Sequence, residues 1–190
     1  MERMECIVKL FTISKNGGNN GKDWNGAHPE KFFPCMHREG VKAIWDVRRK
    51  PNGMYGSFFD TEIMKWCCAH DNIKFVWRLD FAPEEQTFKK CNSEHWDLLT
   101  YAKAYFTPQI IAALNKTTLE ELDGTAILCA EQELYNCHRL LIAEYFKARF
   151  PQVEIKHLGL SYDRYGNEKD AVPNDVMYHT RQYIKQIVGE

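Results

Sequence analysis

The chain has 190 residues, 44% of them hydrophobic and 27% charged, and its formal net charge at pH 7 is −1. These values are typical of one globular domain and exclude a disordered chain, and the small net charge argues against binding nucleic acid through overall charge. No apolar run reaches the ~18 residues of a membrane span, and the N-terminal residues lack a signal-peptide pattern. We therefore expect a cytoplasmic protein without a membrane partner, and its seven cysteines are expected to be reduced thiols.

Strand and helix patterns alternate along the chain. In order, the sequence predicts a strand at 6–13, a Gly- and Asn-rich loop at 16–26, a segment with helical ends at 29–40, a strand at 41–47, a short helix at 61–72, a strand at 73–80, a helical segment at 82–114 interrupted by Pro108, a turn or short helix at 117–124, a strand at 125–130, a helix capped by Asn136 and ending near Phe150, a strand at 152–158, and a tail that ends in a helix. Pro34 argues against a clean helix at 29–40. This alternation predicts an α/β fold: a single domain with a mostly parallel, Rossmann-like sheet flanked by helices.

Two polar segments follow predicted strands. "DVRRKP" (46–51) ends one strand, and "CAEQELYNCHR" (129–139) runs from the end of another into a helix. A parallel sheet places the carboxyl ends of its strands at one edge, where ligands bind. We expect Arg48, Arg49 and Arg139 to hold an anion there, with Asp46 orienting an arginine, and the helix N-terminus adds a positive dipole end.

The second segment also carries the candidate catalytic groups. Glu131 is a candidate general acid or base, and His138 is placed to assist proton transfer. Cys129 and Cys137 are candidate nucleophiles, and a helix N-terminus lowers the pKa of a thiol such as that of Cys137. Structural roles compete with each of these: both cysteines can be packed core thiols, Glu131 can cap the helix or pair with an arginine, and Asp46 can form a structural ion pair with Arg48.

The spacing of the cysteines, histidines and glycines in the sequence excludes several known kinds of site. The phosphate loop of cysteine-based phosphatases has an arginine six residues after its cysteine. This motif is excluded for Cys129, because Tyr135 occupies that position. Cys129, Cys137 and His138 could ligate zinc with His157 or His95 as the fourth ligand, but two adjacent residues at a helix start seldom reach one ion, so no metal is assigned. Gly-rich dinucleotide and P-loop motifs are absent from the sequence, and the cofactor is left unknown.

The two segments resemble a known family. "IWDVRRKPNG…SFF" and "LCAEQELYNCHRLLIA" are similar to the two hallmarks of the DUF488 family, with a shared core of about 6–160 and a C-terminal loop and helix at 161–190. The resemblance implies an α/β fold with a Rossmann-like sheet, and it covers the following positions: Asp46, Arg48, Pro51, Phe58 or Phe59, Cys129, Glu131, Cys137, His138 and Arg139. Asn52 and Gly53 depart from the family pattern, which has Ser or Thr after the proline.

These observations predict an enzyme, a hydrolase or group transferase that binds an anionic nucleotide-like or nucleic-acid substrate at the carboxyl ends of the strands. Two alternatives stay open at this point: a non-catalytic nucleotide or nucleic-acid binding module, and a thiol-based redox sensor. The expected partner is a small anionic ligand or a nucleic acid, and no protein partner is identified. The sequence does not select the substrate or the reaction.

Overall fold

The structure is a computed structural model of the whole chain. It describes residues 7–15, 29–51, 58–131, 134–135, 137–159 and 172–189. The predicted loop at 16–26, the predicted cap Asn136 and the Asn52-Gly53 dipeptide lie outside these residues.

Strands and helices alternate through most of the described residues. The strands are β1 (Val8–Ser14), β2 (Ala43–Asp46), β3 (Lys74–Trp77), β4 (Thr125–Cys129) and β5 (Val153–Leu158). The helices are α1 (Pro29–Glu39), α2 (Thr61–His70), α3 (Glu85–Ser93), α4 (Leu98–Tyr105), α5 (Pro108–Asn115), α6 (Leu119–Leu122), α7 (His138–Arg149) and α8 (Asn174–Val188). A 3₁₀ turn at Leu79–Phe81 follows β3.

The five strands form one open sheet in which every pairing is parallel, in the order β3-β2-β4-β1-β5. β4 is central, and its register with β2 places Asp46 opposite Leu128. The predicted α/β class and the parallel sheet flanked by helices are therefore confirmed.

Two hydrophobic layers cover the sheet, because side chains on a strand alternate between its faces. On β4, Ala126 and Leu128 pack in the layer that contains α1 and α2. Ile127 and Cys129 point to the opposite layer, which contains α4, α7 and α8. This alternation directs the Cys129 thiol toward the first turn of α7.

α7 is a central helix. Its residues 138–146 are all buried, because α4 and α8 pack on the sides that the sheet leaves uncovered. Polar side chains at its start are consequently inside the protein, and Ile184 of α8 belongs to the same hydrophobic core.

The region around Pro34 differs from the sequence prediction. α1 is continuous from Pro29 to Glu39 and contains this proline, although an internal proline costs a helix about 3 kcal/mol. Phe32 and Met36 of the same helix are fully buried against the sheet. Their burial offsets the missing backbone hydrogen bond.

Among the described residues, no helix combines the length and the apolar character needed to cross a membrane.

Candidate functional site

The two polar segments meet at the carboxyl edge of the sheet. The backbone nitrogen of Val47, just after β2, donates to the carbonyl oxygen of Leu128 on β4 over 3.0 Å. Nε2 of His138, the first residue of α7, donates to the carbonyl oxygen of Val47, also over 3.0 Å. Because neighbouring parallel strands end at the same edge, residues about ninety positions apart in sequence become direct neighbours.

A cavity of about 300 Å³ opens beside this junction, at the small end of the size range of ligand pockets. The two predicted segments and the region of α3 provide its walls. It is lined by Arg48, Arg49, Lys50, Pro83, Glu85, Phe88, Lys89, Cys129, Ala130, Glu131 and His138.

Asp46 and Arg48 form a buried ion pair at the cavity wall. Nε of Arg48 donates to Oδ1 of Asp46 over 2.8 Å, and Nη2 donates to Oδ2 over 2.6 Å. Nη2 also donates to the carbonyl oxygen of Phe59, and the backbone nitrogen of Arg48 donates back to Asp46. Asp46 is 0% exposed and Arg48 is 5% exposed, so nearly all of the hydrogen-bonding capacity of the pair is used inside the protein.

Exposed cations complete the cavity wall. Arg49 donates from Nε to the carbonyl oxygen of Pro83 over 2.6 Å, which connects the end of β2 to the segment before α3. Lys89 and Lys50 lie 3.0 Å and 3.6 Å from carboxylate oxygens of Glu85. With Arg48, four cationic side chains line the cavity against two carboxylates, those of Glu85 and Glu131.

The inner wall contains a four-residue cluster, defined as Cys129, Glu131, Cys137 and His138. One ligating atom from each lies within 4.8 Å of the others. The Cys129 thiol donates to Oε2 of Glu131, and the Cys137 thiol donates to the same oxygen over 3.3 Å. Sγ of Cys129 is 3.7 Å from Nδ1 of His138.

Charge separation within the cluster is favourable. Burial raises the pKa of Glu131, but the neighbouring His138 and the hydrogen bonds from both thiols oppose it, and the resulting pKa is below the ordinary value. Burial lowers the pKa of His138, but interactions with Cys137 and Glu131 outweigh this, and the resulting pKa is raised. The arrangement therefore favours a carboxylate beside an imidazolium.

Cys137 differs from the sequence prediction. It precedes α7, where the helix dipole was expected to lower the pKa of its thiol, but it is fully buried. Burial instead raises the pKa of Cys137 well above its usual value, because desolvation of a thiolate exceeds the dipole effect. Cys137 therefore keeps its proton, and its S–H group donates a hydrogen bond to Glu131.

Arg139 is also placed differently from the anion-binding position predicted for it. Its side chain is 2% exposed, it is not among the residues that line the cavity, and Nη1 donates to the backbone carbonyl oxygen of Glu131. Arg139 therefore fixes the loop that presents Glu131, whereas Arg48 and Arg49 line the cavity.

Several polar and aromatic groups at the site were not identified from the sequence. Lys89 and Phe88 come from α3, and Lys50 follows Arg49. Tyr101 of α4 is fully buried, and its hydroxyl has no hydrogen-bond partner among the described residues. Burial raises the pKa of Tyr101 well above its usual value, and the nearby Cys137, Cys129 and Glu131 raise it further.

The two histidines considered as a fourth zinc ligand lie outside the cluster. His157 of β5 hydrogen-bonds to Thr12 of β1 over 2.7 Å, and His95 lies exposed in the turn after α3. The fourth group near the two thiols and His138 is Glu131, and the adjacent residues Cys137 and His138 both reach the cluster.

A protein-family model described as "Domain of unknown function DUF488" matches residues 28–146. The matched region runs from α1 into α7 and contains both segments that line the cavity, whereas β1, β5 and α8 lie outside it. It is narrower than the shared core of about 6–160 expected from the sequence. Comparisons with curated proteins and with solved structures find no match.

Proposed function

Because the chain belongs to the DUF488 family, a domain family of unknown function, we propose its function from the cavity itself. The protein is a hydrolase or group transferase that acts on an anionic substrate, either nucleotide-like or a nucleic-acid phosphate. The reacting bond is a phosphate or glycosidic bond, and it lies against Glu131 and His138.

The observation that carries this proposal is the charge of the cavity wall. Four cationic side chains line a space of about 300 Å³; Arg48 is paired with Asp46, whereas Arg49, Lys50 and Lys89 are exposed. Guanidinium and ammonium groups are the donors that bind phosphate oxygens. Phe88 adds an aromatic surface on which a base can stack.

The inner wall offers the groups that such a reaction needs. Glu131 is the partly exposed member of the four-residue cluster and lines the cavity, so it can take a proton from an attacking water or hydroxyl. His138, on the same wall, can return a proton to the leaving group. Arg139 is a positioning residue, because it holds the backbone carbonyl of Glu131.

The alternatives differ in what they require of the cluster. A redox sensor needs an accessible thiolate, but Cys129 and Cys137 are 1% and 0% exposed, which favours an enzyme over a sensor. A binding module needs the cations and not Glu131. Mutation of Glu131 therefore distinguishes an enzyme from a binding module.

The proposal also includes a Rossmann-like classification and a cytoplasmic location. The first is supported by a cavity at the carboxyl ends of β2 and β4 in a parallel sheet. The second is supported by cysteines such as Cys68, Cys91, Cys129 and Cys137, which are free thiols in the part of the chain that the structure describes.

The test uses the full chain with a nucleoside monophosphate, a dinucleotide and a short single-stranded oligonucleotide. Binding is measured by isothermal titration calorimetry, and bond cleavage or transfer is measured by chromatography of the products. We expect turnover of at least one substrate by the wild type, at least about a hundredfold less in Glu131→Gln, and similar binding in both. Binding without turnover, or turnover unchanged in Glu131→Gln, would contradict the enzymatic role.

A further inference from the structure

The four-residue cluster brings together the ligand types of zinc sites in proteins. Two thiols, one imidazole and one carboxylate approach within 4.8 Å from the end of β4, the following loop and the start of α7. Thiolate and imidazole ligands select zinc over magnesium or calcium, which bind oxygen. Glu131 and Cys129 reach the cavity, so an ion here would be adjacent to a bound ligand.

Two of the distances between the ligand atoms fit a tetrahedral ion, and all of them are within 4.8 Å. With bonds of about 2.3 Å to sulfur and about 2.0–2.1 Å to nitrogen or oxygen, the ligand atoms around zinc are about 3.3–3.8 Å apart. Sγ of Cys129 lies 3.7 Å from Nδ1 of His138, and Sγ of Cys137 lies 3.3 Å from Oε2 of Glu131. Sγ of Cys129 and Oε2 of Glu131 are hydrogen-bonded through the thiol proton. A metal replaces that proton and separates them.

His138 is oriented in the manner of a metal ligand. Its Nε2 donates to the carbonyl oxygen of Val47, and a carbonyl oxygen can only accept, so Nε2 keeps its proton. The nitrogen left to bind an ion is Nδ1, and Sγ of Cys129 lies 3.7 Å from both ring nitrogens. Ligating histidines commonly donate their other ring N–H to a backbone carbonyl in this way.

A second, independent observation comes from Tyr101. Its hydroxyl is fully buried without a hydrogen-bond partner among the described residues, and it lies within electrostatic range of Cys137, Cys129 and Glu131. A neutral thiol is a weak acceptor, whereas a metal-bound thiolate carries negative charge and accepts a hydrogen bond readily. Metal binding would therefore place thiolate charge within electrostatic range of this O–H dipole, which is unpaired among the described residues.

We propose that Cys129, Glu131, Cys137 and His138 bind one zinc ion. The two thiols lose their protons to the buffer when the ion binds, and Glu131 becomes the ligand on the cavity side. This inference concerns an ion and not the substrate, and it rests on the arrangement of the ligand atoms. With the ion bound, Glu131 and His138 are ligands, so the proton transfers proposed for them belong to the metal-free protein.

The experiment uses the untagged full chain, stripped of metal by a chelator and kept in a non-thiol reductant. Zinc is titrated in competition with a chromophoric chelator, and Co²⁺ serves as the spectroscopic probe. We expect one ion per chain, thiolate-to-cobalt charge-transfer absorption, and the visible bands of tetrahedral cobalt. Absence of the charge-transfer absorption in the wild type would overturn the proposal, whatever the variants do.

Matched variants locate the ion. Cys129→Ala and Cys137→Ala should weaken zinc binding at least about a hundredfold, whereas Cys68→Ala, which removes a buried thiol in the opposite layer, should leave it unchanged. Equal loss in all three variants would contradict the assignment. If the first two fail to fold, Tyr101→Phe decides the question: we expect about tenfold weaker zinc binding than in Tyr105→Phe, and equal affinities would contradict the site.

The two proposals fail separately. If the metal-free protein binds pyrophosphate but binds no zinc at stoichiometric concentration, the proposed metal site is contradicted and the proposed function is not. If the protein binds zinc but binds neither pyrophosphate nor nucleotides, the proposed function is contradicted and the proposed metal site is not.

Discussion

The Asp46–Arg48 ion pair and the four-residue cluster lie at the same edge of the sheet, and both are buried except for the partly exposed Glu131, yet they are built differently. In the ion pair, one carboxylate meets one guanidinium through two short hydrogen bonds, and a backbone carbonyl takes a further donor. In the cluster, two thiols share a single oxygen of Glu131, and the hydroxyl of Tyr101 lacks a partner among the described residues. Complete pairing indicates a structural role, whereas crowded ligands that compete for one acceptor indicate a site that is completed by something else.

The largest effect should come from breaking the ion pair. Asp46→Asn leaves the Arg48 charge buried without a counterion, and we expect the free energy of unfolding to fall by about 3 kcal/mol in urea denaturation. Asp80→Asn is the matched control, because Arg78 holds Asp80 through the same two-bond geometry at the surface. It should cost below about 1 kcal/mol. Equal losses of unfolding free energy in the two variants would contradict the claim that burial makes the Asp46–Arg48 pair the more important one for stability.

His157, a partly buried histidine, extends the comparison through the pH dependence of stability. Burial, with the charges of Arg139 and Arg181, lowers the pKa of His157 from about 6.5 to about 4. His157 therefore binds a proton below about pH 6.5 in the unfolded chain, but only below about pH 4 in the folded protein. The free energy of unfolding should therefore fall by about 1–2 kcal/mol as the pH drops through this window, allowing for partial exposure.

The measurement is a series of urea denaturation curves between pH 7 and pH 4 on the wild type and on His157→Gln. Between pH 6.5 and pH 4, the free energy of unfolding should change less with pH in His157→Gln than in the wild type, because glutamine binds no proton at this position. Identical slopes in the two proteins would contradict the assignment of His157 as a neutral, partly buried histidine.

The smallest effect separates a satisfied hydroxyl from an unsatisfied one. Tyr105 donates to the carbonyl oxygen of Phe81 over 2.7 Å, so Tyr105→Phe should destabilise the metal-free protein by about 1 kcal/mol. Tyr101→Phe should leave its stability unchanged or raise it, because the lost hydroxyl had no partner among the described residues. Thermal denaturation of both variants in chelator checks this order, and a larger loss in Tyr101→Phe would show that its hydroxyl is paired.

The fold was largely accessible from the sequence because its signals are local. Alternating strand and helix patterns predicted the α/β class, and the family resemblance is confirmed by the match over residues 28–146. Parallel pairing then requires that the ends of β2 and β4 lie together, as they do. The continuous α1 was missed because Pro34 is a local signal, whereas the burial of Phe32 that outweighs it is a tertiary effect.

The site was less accessible because burial and packing decide the roles of its residues. A helix N-terminus predicted a low pKa for the Cys137 thiol, but α7 is enclosed on all sides and desolvation reverses the sign. The same enclosure turns Arg139 inward to Glu131. Lys89 joins the cavity from α3, and no sequence pattern connected that helix with the ends of β2 and β4.

The most direct test of the central claim, that this cavity binds an anion, is calorimetric titration of pyrophosphate into the metal-free protein at fixed low salt. Arg49→Ala removes an exposed cation from the wall, and Lys65→Ala removes an exposed cation of α2 outside the cavity. The account predicts binding by the wild type and by Lys65→Ala, and a dissociation constant about tenfold higher for Arg49→Ala. Equal dissociation constants in all three proteins, or no binding by the wild type, would contradict it.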